Sequence, residues 1–183
     1  MRMPASQFDL KFDRILMTLR RGGSVMIRDI KGQAALVRAA EFSDIAPERL
    51  GDISRGSEIL CLTRRHMTAF GRTVADKLNC FTLPAETFDE GQITALILGD
   101  GTLLPVDANI LGEREDSLPD MACQLLRAVR LIPAALLSHV SVRNQQQQAR
   151  LADNFQIPVL DLHEFTNLTK DSEPEMSISI TAT

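Results

Sequence analysis

Near the start of the chain, apolar residues recur every three or four positions. Five of them share this spacing, with charged residues between: Phe8, Phe12, Ile15, Leu16 and Leu19. One face of an α-helix collects such positions, so the spacing predicts an amphipathic helix. Gly22 and Gly23 end it, because glycine accepts the left-handed conformation that helix ends often require.

Short apolar or β-branched runs, bounded by turn residues, predict the strands of a sheet. The predicted strands are Ser24–Ile27, Ala34–Ala40, Ile59–Leu62, Phe81–Leu83, Ile93–Leu98, Thr102–Val106, Ala134–Val140 and Ile157–Leu162. The pair Asp100-Gly101 predicts a tight hairpin between the fifth and the sixth.

Between these runs the sequence predicts further helices, and a short helical turn after the last strand. The predicted helices are Pro47–Ser54, Arg64–Phe70, Ser117–Arg130 and Asn144–Phe155. Pro47 suits a first helical turn, and Ser117 suits a helix cap. The glutamine run Gln145–Gln148 is interpreted as the solvated face of the last helix.

Strands and helices alternate without a second domain boundary, which predicts one α/β or α+β domain over residues 1–169. We expect a mixed sheet flanked by helices. Residues 170–183 are polar, with Glu173-Pro174-Glu175 among them, and predict a disordered tail.

Composition narrows the class of protein. With 44% hydrophobic and 24% charged residues, the chain resembles ordinary soluble domains. A net charge of -4 and scattered basic residues argue against a nucleic-acid partner. The sequence shows no signal-peptide pattern and no apolar run of membrane-spanning length, so we expect a cytoplasmic protein without a membrane partner.

Four short blocks follow one another in a recognisable order: Gly23–Ile27, Ala39-Ala40-Glu41, Ala46-Pro47-Glu48 and Gly56–Cys61. Near the other end, Leu131–Ala135 and Asn154–Val159 add two more. Together they resemble the 3,4-dihydroxy-2-butanone 4-phosphate synthase family, which makes the four-carbon precursor of riboflavin from ribulose 5-phosphate. The resemblance implies that family's fold, a homodimer and, in an active enzyme, Mg²⁺ or Mn²⁺.

The resemblance also locates candidate site residues. The family's acidic loop after the first strand falls on the segment 29–35, where Asp29 alone is acidic. Its metal-binding histidine falls on Leu118, within Ser117–Asp120, and a glutamate of the later strand falls on His139. Cys61 is unchanged. The candidates are therefore Asp29, Cys61, Asp120 and His139, with the metal ligands left undefined.

For two candidates the residues alone support an ordinary structural interpretation. Cys61 ends an apolar run, so we expect a buried thiol of low reactivity. A histidine on an apolar strand, such as His139, is more often an interior group with satisfied hydrogen bonds than a titrating base.

Two hypotheses remain, besides a likeness of fold without any shared function. The first is a non-catalytic homodimer with a binding, regulatory or structural role, no cofactor and a possible small phosphorylated ligand. The alternative is a divergent metal-dependent lyase that uses Asp29, Asp120 and His139 on ribulose 5-phosphate or a related sugar phosphate.

Overall fold

A seven-stranded mixed sheet runs through the computed structural model, which describes residues 5–44, 54–105 and 108–171. Its strands are β1 Val25–Arg28, β2 Ala34–Ala39, β3 Ser54–Thr63, β4 Cys80–Pro84, β5 Leu111–Glu113, β6 Ala135–Val140 and β7 Val159–Asp161. The order across the sheet is β5-β4-β3-β6-β2-β1-β7. Only the β1–β7 pair among these is parallel.

Helices cover both faces of this sheet, which confirms the predicted class. They are α1 Ala5–Arg20, α2 Arg64–Ala69, α3 Glu90–Ile97, α4 Leu118–Ala128, α5 Gln145–Asn154 and α6 Leu162–Asp171. Buried side chains of α1, α4 and α6 share one apolar cluster with the sheet. On the opposite face, α2 and α3 cover β3 and β4, and α5 covers β1 and β2.

The prediction fails in the middle of the chain. Ile93–Leu98 was expected as a strand, but these residues lie largely in α3. Asp89 and Gln92 form a capping box, in which the Asp89 carboxylate accepts the Gln92 N–H at 2.8 Å and Gln92 Oε1 accepts the Asp89 N–H at 2.9 Å. This cap starts a helix in place of the predicted strand.

The hairpin expected at Asp100-Gly101 is also absent from the described residues. A single 3₁₀ turn, Gly101–Leu103, occupies the place of the predicted strand Thr102–Val106, of which Val106 lies outside the description. The Asp100 carboxylate accepts the Thr102 N–H at 3.1 Å and closes this turn instead. Strand β5, which the sequence did not predict, forms the sheet edge.

Two predictions fall wholly or mostly outside the described residues. The predicted helix Pro47–Ser54 lies outside them except for Ser54, which is instead the first residue of β3. The predicted tail, residues 170–183, lies outside the described residues from 172 onward, because α6 extends to Asp171. Among the residues that the structure describes, no helix is both long and apolar enough to cross a bilayer.

His66 in α2 gives stability a pH dependence. Its Nδ1 accepts the Thr63 N–H at 3.2 Å, and its Nε2 donates to the Ile97 carbonyl at 3.2 Å, an arrangement that needs a neutral ring. Burial lowers the pKa of His66 below its usual 6.5. The unfolded chain therefore takes up this proton first, and we expect the free energy of unfolding to fall as the pH drops below about 6.5.

Urea unfolding between pH 8 and pH 5 measures this effect. His66→Gln should flatten the fall in stability, whereas His163→Gln, a change on an exposed histidine, should leave its slope intact. Equal slopes for the wild type and His66→Gln would contradict the assignment.

Candidate functional site

A cavity of about 870 Å³ opens on the sheet face that carries α4 and α6. We call it the cleft. Three stretches of chain line it together with Ile59 and His139: residues 29–33 of the β1–β2 turn, residues 113–119 between β5 and α4, and part of the first turns of α6. Because β1, β6 and the start of α4 are far apart in sequence, the sheet order is what brings them together.

Asp29 lines the cleft, and its carboxylate shapes the turn that follows β1. Oδ1 accepts the backbone N–H groups of Lys31 at 2.9 Å and Gln33 at 2.8 Å. The Asp29 N–H in turn donates to the Gln33 carbonyl at 2.9 Å, and Gly32 adopts a φ of +79°. The aspartate therefore has the structural role of an Asx turn, with one oxygen committed to backbone donors.

His139 also lines the cleft, at the end of β6. It is exposed, so the interpretation as a satisfied interior group is wrong. Strand register places it opposite Ala35 of β2 and Arg55 of β3, on the face where Leu137 packs into the core. The alternation of β6 turns every second residue to this face, and at His139 this face borders the cleft.

Asp120 lies behind the cleft wall and is 4% exposed. Its Oδ2 accepts the Asp116 N–H at 3.1 Å and the Gln124 side-chain amide at 2.6 Å. Asp116 has a φ of +61°, which is uncommon for a residue other than glycine, so the Asp120 carboxylate holds a strained turn in place. Burial is the largest influence on this group, and it raises the pKa of Asp120.

Cys61 is fully buried in β3, as the sequence predicted, and is not among the residues that line the cleft. Cys80 and Cys123 are buried too. Burial raises the pKa of the Cys61 thiol well above its usual value, which keeps it protonated.

Thiol labelling tests this directly. We expect a reagent such as 5,5′-dithiobis(2-nitrobenzoic acid) to modify the native protein slowly, and all three cysteines rapidly in denaturant. The reagent attacks thiolates, and here burial limits both ionisation and access. Rapid modification mapped to Cys61 in the native protein would contradict the expectation.

The remaining charges of the cleft are of both signs. Lys31, Arg114 and His163 supply basic groups, and Glu113, Glu115 and Asp116 supply carboxylates. Sequence reasoning missed most of these residues, since β5 was not predicted and His163 lies next to an unremarkable strand end. Leu118, on which the sequence resemblance places the family's histidine, is 5% exposed and gives this wall an apolar surface.

The donor set does not fit the metal site that the resemblance implies. Among the described residues, one group of three possible ligands has its atoms within 4.8 Å of one another: Asp161, His163 and Glu164. Arg28 already binds Asp161 through two contacts of 2.6 and 2.8 Å, and Lys11 lies 2.6 Å from Glu164. A divalent cation there would meet two positive side chains.

Comparison with known proteins gives a likeness of structure without a likeness of sequence. No protein-family model matches the chain, and no curated protein matches it significantly. Among solved structures, the two-domain 3,4-dihydroxy-2-butanone 4-phosphate synthase RibBX from A. baumannii matches with a TM-score of 0.63 at 14% identity. The match covers 88% of this chain and 58% of RibBX, so the chain spans somewhat more than half of that protein.

Two further synthases match over nearly their whole length. The enzyme from Candida albicans has a TM-score of 0.61 at 12% identity, covering 86% of this chain and 96% of that one. A synthase in complex with two magnesium ions has a TM-score of 0.58 at 13% identity, covering 87% and 96%. At such identities the likeness concerns the fold, and this chain has a 3,4-dihydroxy-2-butanone 4-phosphate synthase-like fold.

Proposed function

We propose that this chain is a non-catalytic protein with a synthase-like fold, whose cleft binds a small phosphorylated ligand without converting it. One observation carries the proposal: three of the four candidate groups for acid–base or metal chemistry have structural roles. Asp29 closes a turn, Asp120 holds the turn at Asp116, and Cys61 lies in the core.

Binding of an anion is supported by the basic groups of the cleft. Lys31 and Arg114 are exposed on two different walls, and His139 and His163 offer further donors. Four carboxylates also line the cleft, and two of them already accept hydrogen bonds: Glu113 from the Thr82 hydroxyl at 3.0 Å and Asp29 from backbone N–H groups of its turn. A phosphate group accepts several such bonds at once, and ammonium and guanidinium groups strengthen each bond with their charge.

A divergent lyase is the second candidate, and the exposure of His139 favours it. An accessible imidazole and the Asp29 carboxylate line one cleft, and groups of these two types can act as an acid and a base. The lyase reaction requires repeated proton transfers and stabilisation of enediolate-like charge, so a second group would have to supply what the metal supplies in an active synthase.

A formate assay separates the two candidates. With excess Mg²⁺ or Mn²⁺ and a high concentration of the protein, ribulose 5-phosphate should release no formate above a protein-free blank. Leu118→His should not restore activity, because groups that act as one catalytic unit do not contribute additively. A genuine synthase assayed alongside is the positive control.

A different result of the formate assay would contradict the proposal. Metal-dependent formate release that is lost on His139→Ala or Asp120→Ala would show that the site had been rebuilt for catalysis. Isothermal titration with ribulose 5-phosphate then tests binding separately from turnover. Heat of binding without formate release is the outcome that the proposal predicts.

A further inference from the structure

One glutamine differs from its neighbours at the start of α5. Gln145, Gln146 and Gln147 are exposed, as the interpretation of a solvated run requires, but Gln148 is fully buried. Its side-chain nitrogen Nε2 donates to the carbonyl of Gly32 at 3.0 Å and to the carbonyl of Val142 at 2.7 Å. Because both neighbours are acceptors, the nitrogen and not the oxygen of the amide must face them.

These two carbonyls belong to the two chain segments that bring the cleft together. Gly32 lies in the β1–β2 turn between Lys31 and Gln33, which both line the cleft. Val142 lies three residues after His139, where the chain leaves β6. A single amide nitrogen thus joins the segment that presents Lys31 to the segment that presents His139.

The other bonds of the turn are internal to it. Asp29 accepts N–H groups from Lys31 and Gln33, and the Gly32 N–H donates to the Asp29 carbonyl at 3.2 Å. Such bonds fix the shape of a turn but not its position relative to other elements. The Gln148 side chain instead fixes the position of the turn relative to the segment that follows β6.

The acceptor of the same amide is left without a partner. Gln148 Oε1 is buried and makes no hydrogen bond among the described residues. An unpaired buried acceptor lowers stability, and methionine would fill a similar volume without that cost. Packing alone therefore does not explain an amide at this position, whereas the two donated bonds do.

We propose that Gln148 is a positioning residue for the cleft. The β2–β6 ladder ends at the pair Ala35 and His139, and Gln148 holds Gly32 and Val142 together beyond that end. It thereby sets the position of Lys31 relative to His139 and the affinity for a small phosphorylated ligand. The part that concerns affinity rests on the proposed function. The part that concerns the position of the turn is independent of it.

Gln148→Met is the test, because it keeps the side-chain size and removes both donors. We expect the variant to fold, with hydrogen exchange of the backbone amides at 29–33 at least about tenfold faster than in the wild type. The dissociation constant for ribulose 5-phosphate, measured by titration without metal, should rise about tenfold. Gln147→Met, on the exposed neighbour, is the matched control and should change neither quantity.

A residue with a merely structural role would lower the melting temperature and leave affinity unchanged in the folded protein. Unchanged affinity or unchanged exchange at 29–33 in folded Gln148→Met would therefore overturn the proposal. If that variant does not fold, Gln148→Glu is used, since a protonated carboxyl keeps one donor. Its turn should then exchange more slowly at pH 5 than at pH 8, relative to Gln147→Glu, and equal ratios would overturn the proposal.

Failure of the proposed function is distinguishable from failure of this inference. If wild-type protein does not bind ribulose 5-phosphate, with inorganic phosphate as a second probe, then ligand binding by the cleft is refuted for these anions. Hydrogen exchange still decides the role of Gln148. Faster exchange at 29–33 supports the positioning of the turn, and unchanged exchange rejects it.

Discussion

Replacing Glu58 by alanine is expected to lower the free energy of unfolding by about 3 kcal/mol. The Glu58 carboxylate binds Arg38 through two contacts of 2.9 Å, and the Arg38 side chain is only 8% exposed. Without Glu58 the guanidinium stays buried and charged. It would keep weaker compensation, such as its 3.3 Å bond to the Phe42 carbonyl.

The position of this pair in the sheet adds to its importance. Arg38 lies on β2 and Glu58 on β3, and β6 separates these strands. The β3–β6 register shifts between Arg55 and Ile59, so Glu58 lies in an irregular stretch outside the ladder of paired residues. The ion pair thus connects two non-adjacent strands across the central one.

Urea unfolding measures the loss, with Glu58→Gln and Glu86→Ala as comparisons. Glu58→Gln retains hydrogen-bonding capacity and should cost less than Glu58→Ala. Glu86 lines the same cavity as the ion pair but is exposed, so its removal should change stability by about 0.5 kcal/mol or less. Equal effects of Glu58→Ala and Glu86→Ala would show that the buried pair does not stabilise the fold.

Leu125→Ala should cost a similar amount, about 3 kcal/mol, for a different reason. Leu125 is fully buried in α4, where it packs in the apolar cluster between this helix and the sheet. Truncation removes apolar contacts and leaves a cavity that rigid neighbouring strands fill poorly. Because α4 carries Ser117–Pro119 in the cleft wall, the loss should also loosen the cleft.

Arg127→Ala is the matched control on the same helix. Arg127 is exposed near the end of α4, and its loss should cost less than about 1 kcal/mol. Unfolding curves of both variants should keep the wild-type denaturant slope. A Leu125→Ala variant as stable as Arg127→Ala would mean that the cluster under α4 repacks freely.

Elements with a clear period were predictable. The helical spacing in α1 and the apolar run Ala135–Leu137 in β6 each favoured one type of element, and the structure has that element. The run Ile93–Leu98 was compatible with both a strand and a helix. Its β-branched residues favour a strand, whereas Ile93, Leu96 and Ile97 have helical spacing. The capping box of Asp89 and Gln92 favours the helix, but residues of these types are also typical of turns.

The candidate site was less predictable than the fold. Of the four candidates, Asp29 and His139 line the cleft, whereas Cys61 and Asp120 are not among its lining residues. The burial of Gln148 was not predicted, because three exposed glutamines precede it and nothing in the local sequence shows that the fourth faces the interior. Its partners come from β1–β2 and from the end of β6, so only tertiary structure reveals its role.

The parallel pairing of β1 with β7 has a consequence for biosynthesis. Arg28 and Asp161, which face each other in this pair, are separated by 133 positions, roughly ten seconds of translation. Until β6 has been synthesised to pair with β2, β1 and β2 have only each other, and an isolated two-stranded hairpin is marginally stable in water. The nascent chain therefore exposes the apolar face of α1 until α4 and the later strands that share its apolar cluster have been synthesised.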